Sequence, residues 1–149
     1  MGTYYGKGEA MLVKRYMQTR LVTVGLDERA NAALYIMKKK GIRHLLVTDN
    51  SKLLGIVTDR DFRLVRPSPA TSLSIYEVHY LLEKLKVKEV MTKKVITVAP
   101  ETPIAEAARL LLNRRIGALP VLKGEKVVGI ITETDIIRAL IDLEETQGT

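Results

Sequence analysis

The chain has 149 residues, 46% apolar and 28% charged, with a formal net charge of +7, which suits one domain or two very small ones with a real core and a solvated surface. It has no Cys, which excludes disulfides and thiolate chemistry. No apolar run reaches the roughly 18 residues that span a bilayer and no secretory h-region opens the chain, so a cytoplasmic protein with no membrane contact is expected. The positive balance favours phosphate-bearing partners, nucleotide or nucleic acid, but one Phe, six Tyr and no Trp do not supply the successive π-faces of a single-strand stacking surface.

In chain order, residues 1–10 carry two Gly-containing turns and no period, and read as a flexible tail. The segment Val13-Lys14-Arg15-Tyr16-Met17 precedes a short strand, Leu21–Val24. Asp27 is expected to cap a helix whose apolar stripe is Ala30, Ala33, Leu34 and Met37. Strands His44–Thr48 and Leu53–Thr58 flank Asp49-Asn50-Ser51, a hairpin turn by composition. A second helix starts just after Thr58. Arg66 to Ser72 is a Pro/Ser loop, and Ser74 to Lys86 reads as a helix with Ile75, Val78, Leu81, Leu82 and Leu85 along one side.

The order then repeats. Val87-Lys88-Glu89-Val90-Met91 leads to a strand, Val95–Val98. Thr102 suits an N-cap and Pro103 the first helical position. Ile104, Ala107, Ala108, Leu111 and Leu112 form the stripe of that helix. Strands Leu119–Leu122 and Lys126–Thr132 flank Lys123-Gly124-Glu125, and a last helix follows Thr132. Met11, Met17, Met37 and Met91 read as core filler.

Residue pairs at one offset of 74 tie the halves together: Thr23-Val24 with Thr97-Val98, Ile42, Leu45 and Val47 with Ile116, Leu119 and Val121, and Asp61 with Asp135. So many matches at one spacing mean duplication. The expected division is a tail (1–10), a first repeat (11–66), a linker with its helix (67–86), a second repeat (87–142) and a C-terminal tail (143–149). Each repeat reads β-α-β-β-α. A unit this small leaves an apolar face uncovered, so the two are expected to pack with pseudo-two-fold symmetry about a cleft.

The sharpest motif is Gly55-Ile56-Val57-Thr58-Asp59-Arg60-Asp61 with its twin Gly129-Ile130-Ile131-Thr132-Glu133-Thr134-Asp135. A hydroxyl sits at a strand–helix junction and a carboxylate follows three residues later. One reading is a capping box that satisfies orphan backbone N–H groups. The other is sugar recognition, because an ionised Asp is acceptor-only and can take both vicinal hydroxyls of a ribose, while a helix start favours phosphate. The two readings partly coexist.

This duplicated pattern, mixed α/β (α+β) with G-h-h-T-x-x-D twice at one offset, resembles a pair of CBS domains, the Bateman module. Ile42-Arg43-His44-Leu45-Leu46-Val47, the Gly55–Asp61 motif and Pro67-Ser68-Pro69 are further similar to AcuB-type acetoin-utilization proteins, although the chain is too short for the ACT domain many of those carry. The resemblance implies a ribose held by Thr and Asp, an adenine held by backbone and apolar groups, and phosphates reached from before the second strand. It implies one site of Arg43, Thr58, Arg60 and Asp61 with Thr97, Val98, Gly117, Ala118, Leu119 and Pro120. The other comprises Thr132, Thr134 and Asp135 with Thr23, Val24, His44, Leu45 and Leu46.

The two sites differ in charge, since Arg43 and Arg60 correspond to Gly117 and Thr134. Guanidinium groups suit bidentate phosphate contact, so the Asp61 site is expected to bind phosphorylated ligands more tightly. Plain solvated surface charge is the competing reading of both Arg residues. His44 reads either as a phosphate contact or pH sensor, or as a half-buried strand-end imidazole. His79 stands apart on the linker helix, and the two His without Cys make no zinc pattern.

A catalytic reading fails on inventory: no nucleophile–base pattern, no P-loop and no G-x-G-x-x-G. Asp59 and Asp61, two residues apart on a helix, point to different faces. The expected function is a non-catalytic, ligand-sensing regulatory module for AMP, ADP or ATP, with S-adenosylmethionine as a further adenosine ligand. It would act as a homodimer of CBS pairs and transmit ligand state to a regulated protein. The alternatives are a nucleic-acid binder using the basic surface and Tyr4, Tyr5 and Tyr16, for which no reader motif is present, and a purely structural dimerisation module.

Overall fold

The computed structural model describes residues 11–65 and 74–147; the expected tail at 1–10 and the Pro/Ser loop lie outside the described residues. In chain order the elements are α1 (Val13–Tyr16), β1 (Thr23–Val24), α2 (Ala30–Lys40), β2 (His44–Asp49), β3 (Lys52–Thr58), α3 (Asp59–Val65), α4 (Ile75–Lys84), α5 (Val87–Val90), α6 (Ile104–Arg114), β4 (Ala118–Lys123), β5 (Lys126–Thr132) and α7 (Glu133–Gln147). The mixed α+β class is as expected, and the β-α-β-β-α order is complete in the first repeat, while in the second the first strand is reduced to a bridge. The described residues cluster as two compact units, 22–95 and 11–21 with 96–147.

In the 22–95 unit, β1 lies parallel to β2 (Thr23↔Leu46, Val24↔Val47) and β2 antiparallel to β3, from His44↔Thr58 to Asp49↔Lys52. The hairpin turn places Asn50 at φ 49° and Ser51 at φ 70°. Two consecutive positive φ values make a primed turn, whose twist matches that of the strands. Ala30, Ala33 and Met37 of α2 are buried with Val24, Leu45, Val47, Val57, Phe62 and Val87.

The other unit repeats this construction with β4 antiparallel to β5. Ile104, Ala107 and Leu111 of α6 pack with Met11, Val13, Val98, Leu119, Val121, Ile131 and Ala139. Its first strand is reduced: the expected Val95–Val98 strand survives as one parallel bridge, Val98↔Val121. Val98 exchanges bonds with Pro120 and Leu122 (3.0 and 2.9 Å), and the chain then turns through Ala99 to Thr102, where Pro100 has no N–H to continue a ladder.

The duplicated Val-Lys-x-x-Met segments do not fold with the strands that follow them in sequence. Val13 N–H donates to Thr102 O (2.8 Å) and Lys14 N–H to Pro100 O (2.9 Å), while Val87 N–H donates to Glu28 O (2.8 Å) and Lys88 N–H to Leu26 O (3.1 Å). α1 is therefore a strap on the second repeat and α5 a strap on the first. The strap also supplies the acceptor for the first N–H of the adjoining helix, Met11 O to Ile104 (2.9 Å) and Leu85 O to Ala30 (2.8 Å).

That contact displaces both expected helix caps. Arg29, not Asp27, is the N-cap residue of α2, and Pro103, not Thr102, that of α6; neither caps with its side chain. Thr102 Oγ1 instead accepts from Ala99 N–H (2.9 Å), and Asp27 pairs with Lys88 (3.1 Å) and Lys86 (3.5 Å). The hydrogen bond from Lys88, its charge and that of Lys86 hold the Asp27 carboxyl below the usual 3.8.

Three further expectations shift. Leu112 stands 77% exposed, because Ile104, Ala107 and Leu111 already fill the buried side of α6. The linker helix is shorter than Ser74–Lys86; Ser74 caps it, accepting from Glu77 N–H at 3.2 Å, and Ile75 (74%) and Leu81 (48%) remain exposed. The expected tail at 143–149 is helical through Gln147, the last residue of α7, and Leu143 packs on the core.

Each strap's Met crosses the glycine that opens the strand–helix motif. A Cβ on Gly55 would lie 2.6 Å from Met91 Sδ and 2.8 Å from Thr92 O; on Gly129 it would lie 2.7 Å from Met17 Sδ and 3.1 Å from Gln18 O. A thioether end can swing aside, but backbone oxygen cannot. Gly55→Ala is expected to destabilise by about 1–3 kcal/mol, and by more than Gly129→Ala; urea unfolding of the two variants checks the order.

Candidate functional site

Both motifs sit where the last strand of a unit enters the helix that follows it. β3 ends at Thr58, in register with His44 at the start of β2, and α3 opens with Asp59 N–H donating to Arg43 O (3.2 Å). Thr58 N–H donates to Asp61 Oδ2 (2.8 Å) and Asp61 N–H to Thr58 Oγ1 (3.2 Å). The reciprocal pair is a capping arrangement. It uses one carboxylate oxygen; among the described residues, Asp61 Oδ1 accepts no hydrogen bond.

Asp61 and Thr58 are half-buried, and Arg43 and Arg60 are exposed. Neither guanidinium forms an ion pair among the described residues. His44 is half-buried beside Thr58. Thr23 is exposed, and Val24, Leu45 and Leu46 are buried, with Val24 and Leu45 inside the core of their unit. The buried three can offer a ligand only backbone groups.

The second motif has the same backbone and different chemistry. Ala118 is in register with Thr132, and Glu133 N–H donates to Gly117 O (3.1 Å). Asp135 Oδ2 accepts from Thr132 N–H (2.9 Å) and from Thr132 Oγ1 (3.1 Å). Its Oδ1 accepts from Gln18 Nε2 (2.9 Å) and Arg138 Nη1 (2.8 Å). Asp135 is 1% exposed. Thr134 and Thr97 are exposed, Gly117 is half-buried, and Val98, Ala118, Leu119 and Pro120 are buried.

Each unit thus brings its Thr, its Asp and the residues at the start of its second strand to one strand–helix corner, while its first-strand residues pair further along the sheet (Val24↔Val47, Val98↔Val121). Sequence reasoning missed Gln18 and Arg138. The available signal was a mismatch at the 74-residue offset, where Thr92 and Leu64 stand in their places. Among the described residues no cluster of three or more His, Asp or Glu could hold a metal ion, and no helix is long and apolar enough to cross a membrane.

Comparison with known proteins matches the CBS domain family over residues 13–67 and 87–142. The chain is 35% identical over 137 residues to a CBS domain-containing protein of Dictyostelium discoideum, covering 91% of this chain and 94% of that one. Among solved structures it is similar to a proposed acetoin utilization protein (AcuB) from Vibrio cholerae, at TM-score 0.78 and 32% identity, covering 94% of this chain and 97% of the other. It is also similar to CBSX2 in complex with AMP, at TM-score 0.75 and 28% identity, covering 90% and 98%.

Proposed function

The chain belongs to the CBS domain family as a tandem pair, and from that premise we propose that it is a non-catalytic regulatory module which binds an adenine nucleotide and passes its ligand state to a partner protein. The observation that carries this reading is the Asp61 corner. There a half-buried carboxylate is oriented by Thr58, keeps one oxygen open among the described residues, and has on the same strand–helix junction Arg43 and Arg60, which form no ion pair among the described residues. An open carboxylate oxygen suits a ribose diol, and a guanidinium suits the phosphate attached to it. AMP, ADP and ATP fit this chemistry. S-adenosylmethionine shares the ribose but offers the arginines no phosphate, so it ranks below them.

Binding to one arrangement of the module in preference to another is what makes a ligand a signal. Ile137, Leu140 and Ile141, between 49% and 56% exposed along α7, support a second copy of the chain as the first partner, a homodimer of CBS pairs.

A panel of melting curves tests the reading. AMP, ADP, ATP, S-adenosylmethionine and GMP are each added in excess. A ligand at about 100 times its Kd adds roughly 2.7 kcal/mol, which for a chain of this size raises Tm by several degrees. Adenine nucleotides are expected to produce that shift and GMP to fall well short. No shift with any of them, alongside salt-steep binding of DNA or RNA, would replace this reading with the nucleic-acid one.

A further inference from the structure

The two acidic corners differ in how much of the carboxylate is left to recognise anything. An ionised Asp offers about four acceptor positions. At Asp135 four donors reach it: Thr132 N–H and Oγ1 on Oδ2, Gln18 Nε2 and Arg138 Nη1 on Oδ1. At Asp61 the described residues supply one donor to the carboxylate, Thr58 N–H. The geometry points to a module with one open and one latched ribose site. Gln18 and Arg138 close the Asp135 carboxylate to ligand, so that nucleotide enters at Asp61 and not at Asp135. This inference rests on the nucleotide reading above and adds which of the two motifs serves it.

The latch is built from residue identity on a shared backbone. Gln18 and Ile130 exchange both backbone hydrogen bonds (2.8 and 3.0 Å), as Thr92 and Ile56 do in the other unit (2.9 and 3.0 Å). Both straps therefore arrive at the same place. From there a Gln carries its amide three bonds beyond Cβ, while a Thr carries its hydroxyl one bond beyond and falls short. Arg138 stands three residues after Asp135 on α7, one helical turn on, where its guanidinium meets the carboxylate. The residue three after Asp61 on α3 is Leu64, which has no side-chain donor. A ribose diol approaching Asp135 must displace a charge-assisted bond and an amide together, from a side chain already 1% exposed.

Calorimetric titration of the full-length protein with AMP tests this. The wild type is expected to bind about one AMP per chain. The Gln18→Thr/Arg138→Leu variant, which installs the first repeat's residues, is expected to bind about two. Gln18 is exposed and the Arg138 side chain is 58% exposed, so neither change opens the core, and a melting curve confirms the fold. Adding Asp61→Ala to that variant should leave one tightly bound AMP, whereas Asp61→Ala alone should leave only binding about a hundredfold weaker than wild type. The reverse graft, Thr92→Gln/Leu64→Arg, should remove the wild-type event.

Two AMP per chain in the wild type would overturn the latch while leaving the nucleotide reading intact. So would a folded Gln18→Thr/Arg138→Leu variant that still binds one. No binding by any of these proteins would overturn both.

Discussion

Replacing AMP by 2′-deoxy-AMP is expected to weaken binding to the wild-type protein about tenfold, and Asp61→Ala is expected to weaken AMP binding about a hundredfold. Hydrogen bonds to a charged group contribute about 1.5–3 kcal/mol each, and about 1.4 kcal/mol is a factor of ten. The deoxy ligand lacks one hydroxyl for the carboxylate, and the Ala variant offers no carboxylate to either. The decisive comparison is 2′-deoxy-AMP against AMP on Asp61→Ala, where the tenfold difference should vanish. Asp61 also caps α3 through Thr58, and losing a cap costs about 1 kcal/mol of stability. A capping defect weakens both ligands together and preserves their ratio. A deoxy penalty that persists in Asp61→Ala would place the ribose elsewhere.

The repeat made most of the fold readable. One offset of 74 residues aligned every strand and both hairpins, and the observed boundaries of β2 to β5 lie within a residue or so of those expected from composition alone. What escaped was tertiary. Asp27 and Thr102 have the chemistry of helix caps, but the strap carbonyls of Leu85 and Met11 reach the first helical N–H groups instead. A local rule had no means of anticipating an acceptor donated from a distant segment.

The straps themselves were visible as Val13–Met17 and Val87–Met91, yet a four-residue helix has no periodicity that says which unit it docks on. The glycines at 55 and 129 are explained only once Met91 and Met17 are seen crossing them. The candidate site followed the same division. Thr58, Asp61, Thr132 and Asp135 were legible from the motif, because a hydroxyl and a carboxylate three residues apart have few uses at a strand–helix junction. The inequality between the two carboxylates was expected from Arg43 and Arg60. In the structure it also comes from Gln18, 117 residues from its partner, a separation no motif spans.

Asp135→Ala is expected to destabilise the protein by about 2–4 kcal/mol, against about 1 kcal/mol for Asp61→Ala. The difference follows from what each carboxylate holds. At Asp135 the substitution removes the acceptor for Thr132 N–H and Oγ1, releases the Gln18 amide that ties the strap to α7, and empties a position 1% exposed. Arg138, largely in solvent, recovers hydration and limits the loss. At Asp61 only the cap is lost. With about 2–4 °C per kcal/mol at this chain length, the melting point should fall by about 5–15 °C in Asp135→Ala and by a few degrees in Asp61→Ala. Asp135→Asn should lie between them: its amide oxygen can still serve Thr132, but its NH2 then faces the donors of Gln18 and Arg138. Equal melting points for the two Ala variants would mean that the four bonds at Asp135 contribute no more than an ordinary cap. A larger fall in Asp135→Ala, joined to a larger loss of AMP binding in Asp61→Ala, would show one duplicated motif divided between two tasks, folding at one carboxylate and recognition at the other.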